Sequence, residues 1–239
     1  SGGMGVYAQR GGEKFMIRLR TSSGIIPLKH MELIAKFMDE YRVKQLHLTT
    51  RQAVQLHDLR IDDVCDIMET AIDNGLYTRG GGGNFPRNVS LSVMSGVEKN
   101  EYFDVTDFAL KTGEYLMSQI TSYKLPRKLK IAFSSSDKDD PNVTLNDLGF
   151  MAAVENGKPY FRVFLAGGLG GNPGVSLHYD KLIEPKDILY HVEAMTQLFI
   201  AEGDYKNKAK ARTRYIPRRM GTEAFMECYE KHLAEVKAK

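Results

Sequence analysis

Residues 46–57, LHLTTRQAVQLH, alternate apolar and polar side chains with a period of two, as a strand with one buried face does. The apolar side chains of this stretch are Leu46, Leu48, Val54 and Leu56. The polar face carries His47, Thr49, Arg51, Gln55 and His57. We predict two strands with a bend near Arg51 and Gln52. The polar face is either an ordinary exposed sheet surface or a binding site for an anionic group.

The segments on either side of this stretch complete a small α+β unit. Residues 14–21, KFMIRLRT, predict a strand whose buried face is apolar. Pro27 opens a helix with apolar residues at helical spacing. The predicted buried face of that helix consists of Met31, Ile34, Ala35, Met38 and Tyr41. Residues 61–74 predict a second helix, which ends at Asn74-Gly75. The order strand, helix, two strands, helix is typical of a ferredoxin-like half.

Residues 79–88, RGGGGNFPRN, contain four consecutive glycines. Glycine lets backbone amides approach a ligand closely and adopt positive φ. A flexible linker between domains is the alternative interpretation. A linker does not require the Phe-Pro-Arg-Asn that leads straight into the apolar strand predicted for VSLSVMSG, residues 89–96. The segment is therefore interpreted as a binding loop.

The remainder of the chain predicts a second, larger α+β unit. Helices are expected near residues 105–122, 185–203 and 219–237. A hairpin over residues 148–166 is expected to turn at Asn156-Gly157. Together with the first unit, these elements predict an α+β fold class.

Three cations crowd the start of the strand predicted for LPRKLKIAF, residues 125–133. They are Arg127, Lys128 and Lys130. Alternation places the two lysines on one face, where like charges disfavour folding unless an anion neutralises them. Arg18, Arg51 and Arg87 lie on three other segments. Because guanidinium groups bind carboxylates in bidentate fashion, the combination indicates a polyanionic ligand.

Two further segments are rich in glycine or in basic residues. Residues 166–174, AGGLGGNPG, are not a dinucleotide-binding fingerprint, because no strand–loop–helix unit with a suitably placed acidic residue follows. Residues 206–219 are interpreted as a solvated basic face, with a role in ligand binding as the alternative. The cations of this basic run are Lys206, Lys208, Lys210, Arg212, Arg214, Arg218 and Arg219.

The bulk composition excludes several classes of site. A formal net charge of +3 over 239 residues is too small to indicate nucleic-acid binding by itself. Cys65 and Cys228 are too few for a disulfide framework, a four-thiolate zinc site or an iron–sulfur cluster. Both are predicted to be reduced core thiols in a cytoplasmic protein. No apolar run approaches the roughly 18 residues of a membrane span. Ser1-Gly2-Gly3 is interpreted as a cloning remnant within an amino-terminal tail, residues 1–12.

Six ordered motifs give the sequence a more specific resemblance. They are MIRLR, LTTRQAVQLH, GGNFPRNV, LPRKLKIAF, AGGLGGNPG and the stretch from EGDYKNKAKAR to RRMGTEAF. In this order and spacing, the chain resembles the amino-terminal half of sirohaem-dependent sulfite and nitrite reductases. Such enzymes reduce sulfite to sulfide, or nitrite to ammonia, by six electrons at a sirohaem coupled to a [4Fe–4S] cluster.

The resemblance implies a domain organisation. Residues 13–76 would form a ferredoxin-like half domain. Residues 77–239 would form the first of the family's two sirohaem-binding α+β domains, with a mixed or antiparallel sheet flanked by helices.

The resemblance also implies roles for individual side chains. The cations expected to surround the substrate, neutralise its charge and donate or order protons are Arg18, Arg87, Lys128 and Lys130. The side chains expected to hold the sirohaem carboxylates are Arg51, Gln55, His57, Asn88 and Arg127. Nitrite-type members tend to carry asparagine in place of the second lysine, so the presence of Lys130 favours sulfite as the substrate.

The family binds its cluster through four cysteines in its carboxy-terminal half, and this chain has no such set. We therefore expect either a truncated amino-terminal half, which the cloning remnant favours, or a natural half that joins a cluster-bearing subunit. Alone it is expected to show no turnover. The complete enzyme would take electrons from a donor such as ferredoxin or a flavoprotein, and no metal ligand is expected in this half.

Two other function classes stay open on the sequence alone. A ferredoxin-like sheet with basic loops could bind RNA, although the exposed aromatics that would stack on bases are missing from the opening strands. A non-catalytic sirohaem or tetrapyrrole carrier would share the motifs of a truncated reductase.

Overall fold

The computed structural model describes residues 2–239, so the Ser1 part of the predicted cloning remnant lies outside the described residues. The chain forms two β-sheets, each with its own hydrophobic core and helices. The strands are β1 (Val6–Ala8), β2 (Phe15–Leu19), β3 (Leu46–Leu48), β4 (Val54–Leu59), β5 (Ser90–Leu91), β6 (Ile131–Ser134), β7 (Leu148–Glu155), β8 (Lys158–Leu165) and β9 (Leu177–His178). The α-helices are α1 (Leu28–Glu40), α2 (Ile61–Asp73), α3 (Thr106–Ser118), α4 (Ile188–Glu202), α5 (Tyr215–Met220) and α6 (Thr222–Lys237).

The first sheet is antiparallel, in the order β1-β2-β4-β3, and α1 and α2 pack on one of its faces. Its core includes Ile17 and Leu19 of β2 and Leu56 of β4, which are completely buried. The predicted ferredoxin-like half is therefore confirmed. The bend inside residues 46–57 is confirmed as well, because β3 and β4 pair around Gln52, whose φ is +55°.

The second sheet is mixed, in the order β5-β6-β7-β8-β9. β5, β6 and β7 run parallel, whereas β7, β8 and β9 pair antiparallel. Buried residues of α3, α4 and α6 join those of the sheet in one core. The β7–β8 hairpin turns at Asn156-Gly157 as predicted, with φ of +52° and +73°, a pair of positive values that a two-residue turn of this type requires. The predicted α+β fold class is thus confirmed.

Two predicted strands are shorter than expected. The strand predicted at residues 89–96 ends at Leu91, because the Ser92 hydroxyl and the Val93 amide both donate to the Asp140 carboxylate and turn the chain outward. The strand predicted at residues 125–133 begins only at Ile131. Before it, Leu129 pairs with the segment that follows the glycine run.

Several predicted burial patterns are wrong in part. On α1, Met31 and Ala35 are exposed, whereas Phe37 is buried beside Ile34. Cys65 is exposed rather than part of the core, since the buried stripe of α2 runs along its opposite side, and Cys228 is only partly buried. The helix predicted at residues 219–237 divides into α5 and α6 at Gly221, whose φ of +90° breaks the helix.

Among residues 2–239, no helix combines the length and the apolar character that crossing a membrane would demand.

Candidate functional site

A cavity of about 170 Å³ lies where the two sheets meet, and we call it the cationic cavity. Its lining residues are Arg18, Arg20, Thr49, Thr50, Arg51, Ala53, Gly80, Gly81, Arg87, Asn88, Lys128 and Lys130. No acidic side chain of the described residues is among them. Six of the nine side chains assigned from the sequence therefore come together in one place: Arg18, Arg51, Arg87, Asn88, Lys128 and Lys130.

The polar face predicted for residues 46–57 leads to this cavity. Arg18 of β2 pairs with Gln55 of β4, and His47 of β3 pairs with Gln55 from the other side. With its amide oxygen toward β2, Gln55 accepts hydrogen bonds from Arg18 Nε at 2.9 Å and Nη2 at 2.5 Å. The other end of that amide lies 3.3 Å from Nε2 of His57. Gln55 and His57 thus stand beside the cavity, behind Arg18, and do not line it.

The glycine run forms a second wall of the cavity. Arg18 donates to the carbonyl of Gly81 at 2.5 Å, and Arg87 donates to the carbonyls of Gly81 at 3.0 Å and Gly83 at 2.9 Å. A Cβ atom on Gly80, where φ is +77°, would lie 2.5 Å from Nη1 of Arg20. The run is therefore folded against the arginines, and a flexible linker is excluded as its description.

Arg51 lines the cavity, and most of its guanidinium donors are engaged with protein acceptors. It crosses from the β3–β4 turn to the second sheet, where Nη1 donates to Asn146 Oδ1 at 2.6 Å. Nη2 donates to the carbonyls of Asn88 at 2.6 Å and Ile131 at 2.5 Å. The Asn88 side chain is also committed, since its amide donates to Thr21 Oγ1 and to the Arg51 carbonyl. Both residues hold the wall of the cavity together, and their contacts with a cofactor stay predictions.

The ammonium groups of Lys128 and Lys130 in the cavity are free. Across residues 2–239, neither ammonium group has a hydrogen-bond or salt-bridge partner. Burial, followed by the charges of Arg87 and Arg212, lowers the pKa of Lys128 to about 8. Burial, followed by the charges of Arg51 and Arg212, lowers the pKa of Lys130 to about 8. Both ammonium groups are thus available to an anion that enters the cavity.

The ninth assigned side chain, Arg127, lies outside the cavity. It is partly exposed, although its charge reaches Arg87 and Lys128 and lowers the pKa of both. Arg20 was missed as a site residue and lines the cavity. It donates to the carbonyls of Pro86 at 3.0 Å and Arg87 at 3.3 Å. Alternation along β2 could have found it, because it is two positions beyond Arg18.

Asp147 and Arg212 were also missed. Asp147, fully buried directly before β7, accepts from the backbone amide of Lys130 at 2.7 Å and from Arg212 at 2.8 Å. The interpretation of residues 206–219 as a solvated face is wrong for Arg212 and Arg214, which are buried. It holds for Lys206, Lys208 and Lys210, which are exposed.

The donors of the cavity suit an oxyanion or the carboxylates of a cofactor. Nε of Arg51 and Nε of Arg87 are buried without a protein partner, and they lie in a wall that has hydroxyl and amide groups but no acid. This donor set fits the carboxylates of a tetrapyrrole such as sirohaem. In the described part of the chain, no group of three or more His, Cys, Asp or Glu side chains is placed to hold a metal ion.

The lysines make anion binding depend on pH. We expect the affinity for sulfate, whose charge is constant over this range, to fall at least about tenfold between pH 7 and pH 9.5, because both ammonium groups with pKa about 8 lose their protons. Isothermal titration calorimetry at fixed ionic strength measures this. The variant Lys206→Met/Lys208→Met, which alters exposed lysines only, should retain the same dependence. A flat profile in the unaltered chain would place the bound anion elsewhere.

Comparison with protein families assigns the two parts of the chain separately. Residues 7–73 match the family described as the nitrite/sulfite reductase ferredoxin-like half domain. Residues 82–237 match the family described as the nitrite and sulphite reductase 4Fe-4S domain. The two matches together include nearly every residue of the cationic cavity.

Individual relatives agree with these matches. A ferredoxin–nitrite reductase of Leptolyngbya laminosa is 24% identical over 226 residues, which cover 92% of this chain and 44% of the relative. The sulfite reductase (NADPH) hemoprotein beta-component of Acidithiobacillus ferrooxidans is 28% identical over 244 residues, which cover 90% of this chain and 43% of the relative. This chain thus spans less than half the length of these relatives.

A solved structure, that of the Mycobacterium tuberculosis NirA protein, shares the fold. It superposes with a TM-score of 0.86 at 23% identity, covering 98% of this chain and 46% of that one.

Proposed function

This chain belongs to the family of nitrite and sulphite reductases, and from that membership we propose that it supplies the anion-binding half of such an oxidoreductase. The observation that carries the proposal is the cationic cavity, where two lysines without protein partners stand among arginines. The complete enzyme would reduce sulfite to sulfide, or nitrite to ammonia. Its relatives carry the names of nitrite and sulfite reductases.

Four cations would act on the substrate in this proposal: Arg18, Arg87, Lys128 and Lys130. The two arginines are fixed by the Gly81 carbonyl, so their remaining N–H groups are preorganised toward an entering oxyanion. The lysines, with pKa about 8, stay mostly protonated at neutral pH and can donate protons to the departing oxygens. Lys130 favours sulfite over nitrite, since sulfite reduction must protonate more oxygens.

Sirohaem, when bound, would supply the iron at which the oxyanion is reduced. The residues of this chain that we propose to hold its carboxylates directly are Gln55 and His57, which stand beside the cavity, and Arg127, which lies outside it. Arg51 and Asn88 would act from the wall, where most of their donors are already engaged. Thr49 and Thr50 add hydroxyl groups to the same wall.

We further propose that residues 13–76 form the ferredoxin-like half domain and residues 77–239 the sirohaem-binding domain. The two separate cores support this division. A [4Fe–4S] cluster would be held by another part of the enzyme or by a partner subunit. The electron donor would be ferredoxin or a flavoprotein, and the relatives' names mention ferredoxin and NADPH.

Retention of the tetrapyrrole tests the proposal. After co-production with the enzymes of sirohaem synthesis, the chain should elute from gel filtration with tetrapyrrole absorption. The variant His57→Ala/Arg127→Met should lose most of that absorption, because two carboxylate partners are removed at partly exposed positions. Lys206→Met/Lys208→Met serves as the matched control and should keep it. Equal tetrapyrrole absorption in all three proteins would contradict carboxylate binding by His57 and Arg127.

A further inference from the structure

Asp147 is the acidic side chain that lies directly behind the two free lysines. It directly precedes β7, which lies next to the parallel strand β6, and Lys130 directly precedes β6. Its Oδ2 accepts from the Lys130 amide at 2.7 Å and from Arg212 Nη2 at 2.8 Å, and its Oδ1 accepts from the Thr213 hydroxyl. Its carboxylate therefore joins the backbone of the lysine segment to residues more than 60 positions away in the chain.

The charges that face the lysines are otherwise all positive. Lys130 faces Arg51, Arg212 and Lys128, each of which disfavours its ammonium form. Lys128 faces Arg87, Arg212 and Arg127, with the same effect. In both cases Asp147 is the group whose charge favours the ammonium form. A single buried carboxylate thus opposes the repulsion within a cluster of cations.

We propose that Asp147 is a positioning residue: its carboxylate fixes the backbone from which Lys130 projects and supplies the negative charge that opposes the surrounding cations beside the two ammonium groups of the cavity. Its meaning for catalysis rests on the proposed function, in which these groups bind the oxyanion and donate protons to it. Arg212 opposes Asp147, because its positive charge acts on the same two lysines and disfavours their ammonium forms.

A purely structural role of the Asp147–Arg212 pair and an electrostatic role of that pair predict different results. If Asp147 and Arg212 only hold the chain together, replacing either one weakens the fold and leaves the lysine titrations unchanged or broadened. If they set the protonation of the lysines, the two single replacements shift the titrations in opposite directions. Replacing both removes one charge of each sign, so it should bring the titrations back toward those of the unaltered chain.

The experiment is an NMR titration of the chain with ¹³C-labelled lysine side chains and no added anion. Lys128→Arg and Lys130→Arg assign the two resonances. In Asp147→Asn we expect both lysine pKa values to fall by roughly one unit, because the one negative charge that opposes the neighbouring cations is removed. In Arg212→Gln we expect a rise of similar size. In Asp147→Asn/Arg212→Gln we expect values within about 0.3 units of the unaltered chain.

Loss of folding in Asp147→Asn leaves the test intact. The double variant and Arg212→Gln differ only in the charge at position 147, so the lysine pKa values should be lower in the double variant. Equal titrations in that pair, or shifts in the same direction for both single variants, would overturn the proposal. Because no anion is present, these shifts can appear even if sulfate and tetrapyrrole fail to bind, which would refute the proposed function alone.

Discussion

Replacing Arg51 with alanine is expected to lower the free energy of unfolding by about 3 kcal/mol. The guanidinium makes three short hydrogen bonds from the β3–β4 turn to the second sheet, with Asn146 Oδ1 and the carbonyls of Asn88 and Ile131 as acceptors. Alanine leaves these acceptors without their donor and opens a cavity between the sheets. Urea denaturation followed by circular dichroism measures the loss. Two transitions in place of one would show that the sheets then unfold separately.

Matched substitutions identify the cause of that loss. Arg60→Ala removes an arginine whose salt bridge with Asp62 is exposed, so its expected effect is below about 0.5 kcal/mol. Arg51→Lys keeps the charge but cannot reproduce hydrogen bonds to three separate acceptors, so it should recover only a small part of the stability. An Arg51→Ala protein as stable as the unaltered chain would show that the guanidinium does not stabilise the contact between the two sheets. Cofactor binding would then be the role left for Arg51.

Arg51 also shows where prediction from the sequence ends. The period-two pattern of residues 46–57 fixes which way each Cα–Cβ bond points, and the structure confirms the resulting pairing of Gln55 with Arg18 and His47. It contains no information on what a long side chain reaches. Arg51 finds Ile131 and Asn146, which are 80 and 95 positions away, and those contacts depend on the packing of two separately formed sheets.

For the same reason, the sequence predicts that Lys128 and Lys130 share one face but does not predict that Asp147 lies beside them. Two lysines at alternate positions beside an apolar strand are a local pattern, and local patterns are visible in a sequence. The Asp147–Arg212 pair joins residues 65 positions apart, and Arg212 stands in a run that looks like a solvated surface. A weak signal was present, because Asp147 immediately precedes the apolar run LGFMAAV, where an acid is expected to be buried and paired.

The packing of the glycine run against other groups could be expected from the sequence, whereas its role as a binding loop stays a prediction. A linker tolerates any small or polar residue, whereas Gly80 has positive φ and a Cβ there would meet the Arg20 guanidinium. Four consecutive glycines allow a close approach of the backbone to other groups, and the Phe-Pro-Arg-Asn that follows favours this interpretation over a linker. Which groups approach could be learned only from the fold.

The variant Lys128→Met/Lys130→Met is expected to gain stability and lose anion binding together. Burial and neighbouring cations lower both lysine pKa values from 10.5 to about 8, so the ammonium forms destabilise the folded chain. After allowance for solvent screening of these half-buried groups, we expect a gain of about 1 to 2 kcal/mol per lysine at pH 7. Sulfate affinity at pH 7 should fall more than about 100-fold, since two charge-assisted contacts are lost.

The pH dependence of that gain distinguishes charge from packing. Between pH 8 and pH 10.5 the unfolded lysines keep protons that the folded ones have lost, so the unaltered chain becomes more stable as the pH rises through this window. The advantage of the double variant should therefore be full below pH 8 and vanish near pH 10.5. Lys206→Met/Lys208→Met, on the exposed part of the basic run, should show neither effect. A gain that persists at pH 10.5 would come from the apolar methionines, and unchanged sulfate affinity would mean that the lysines do not bind the anion. A gain with the expected pH window, coupled to loss of binding, would mean that the folded chain gives up stability to hold two positive charges ready for an oxyanion.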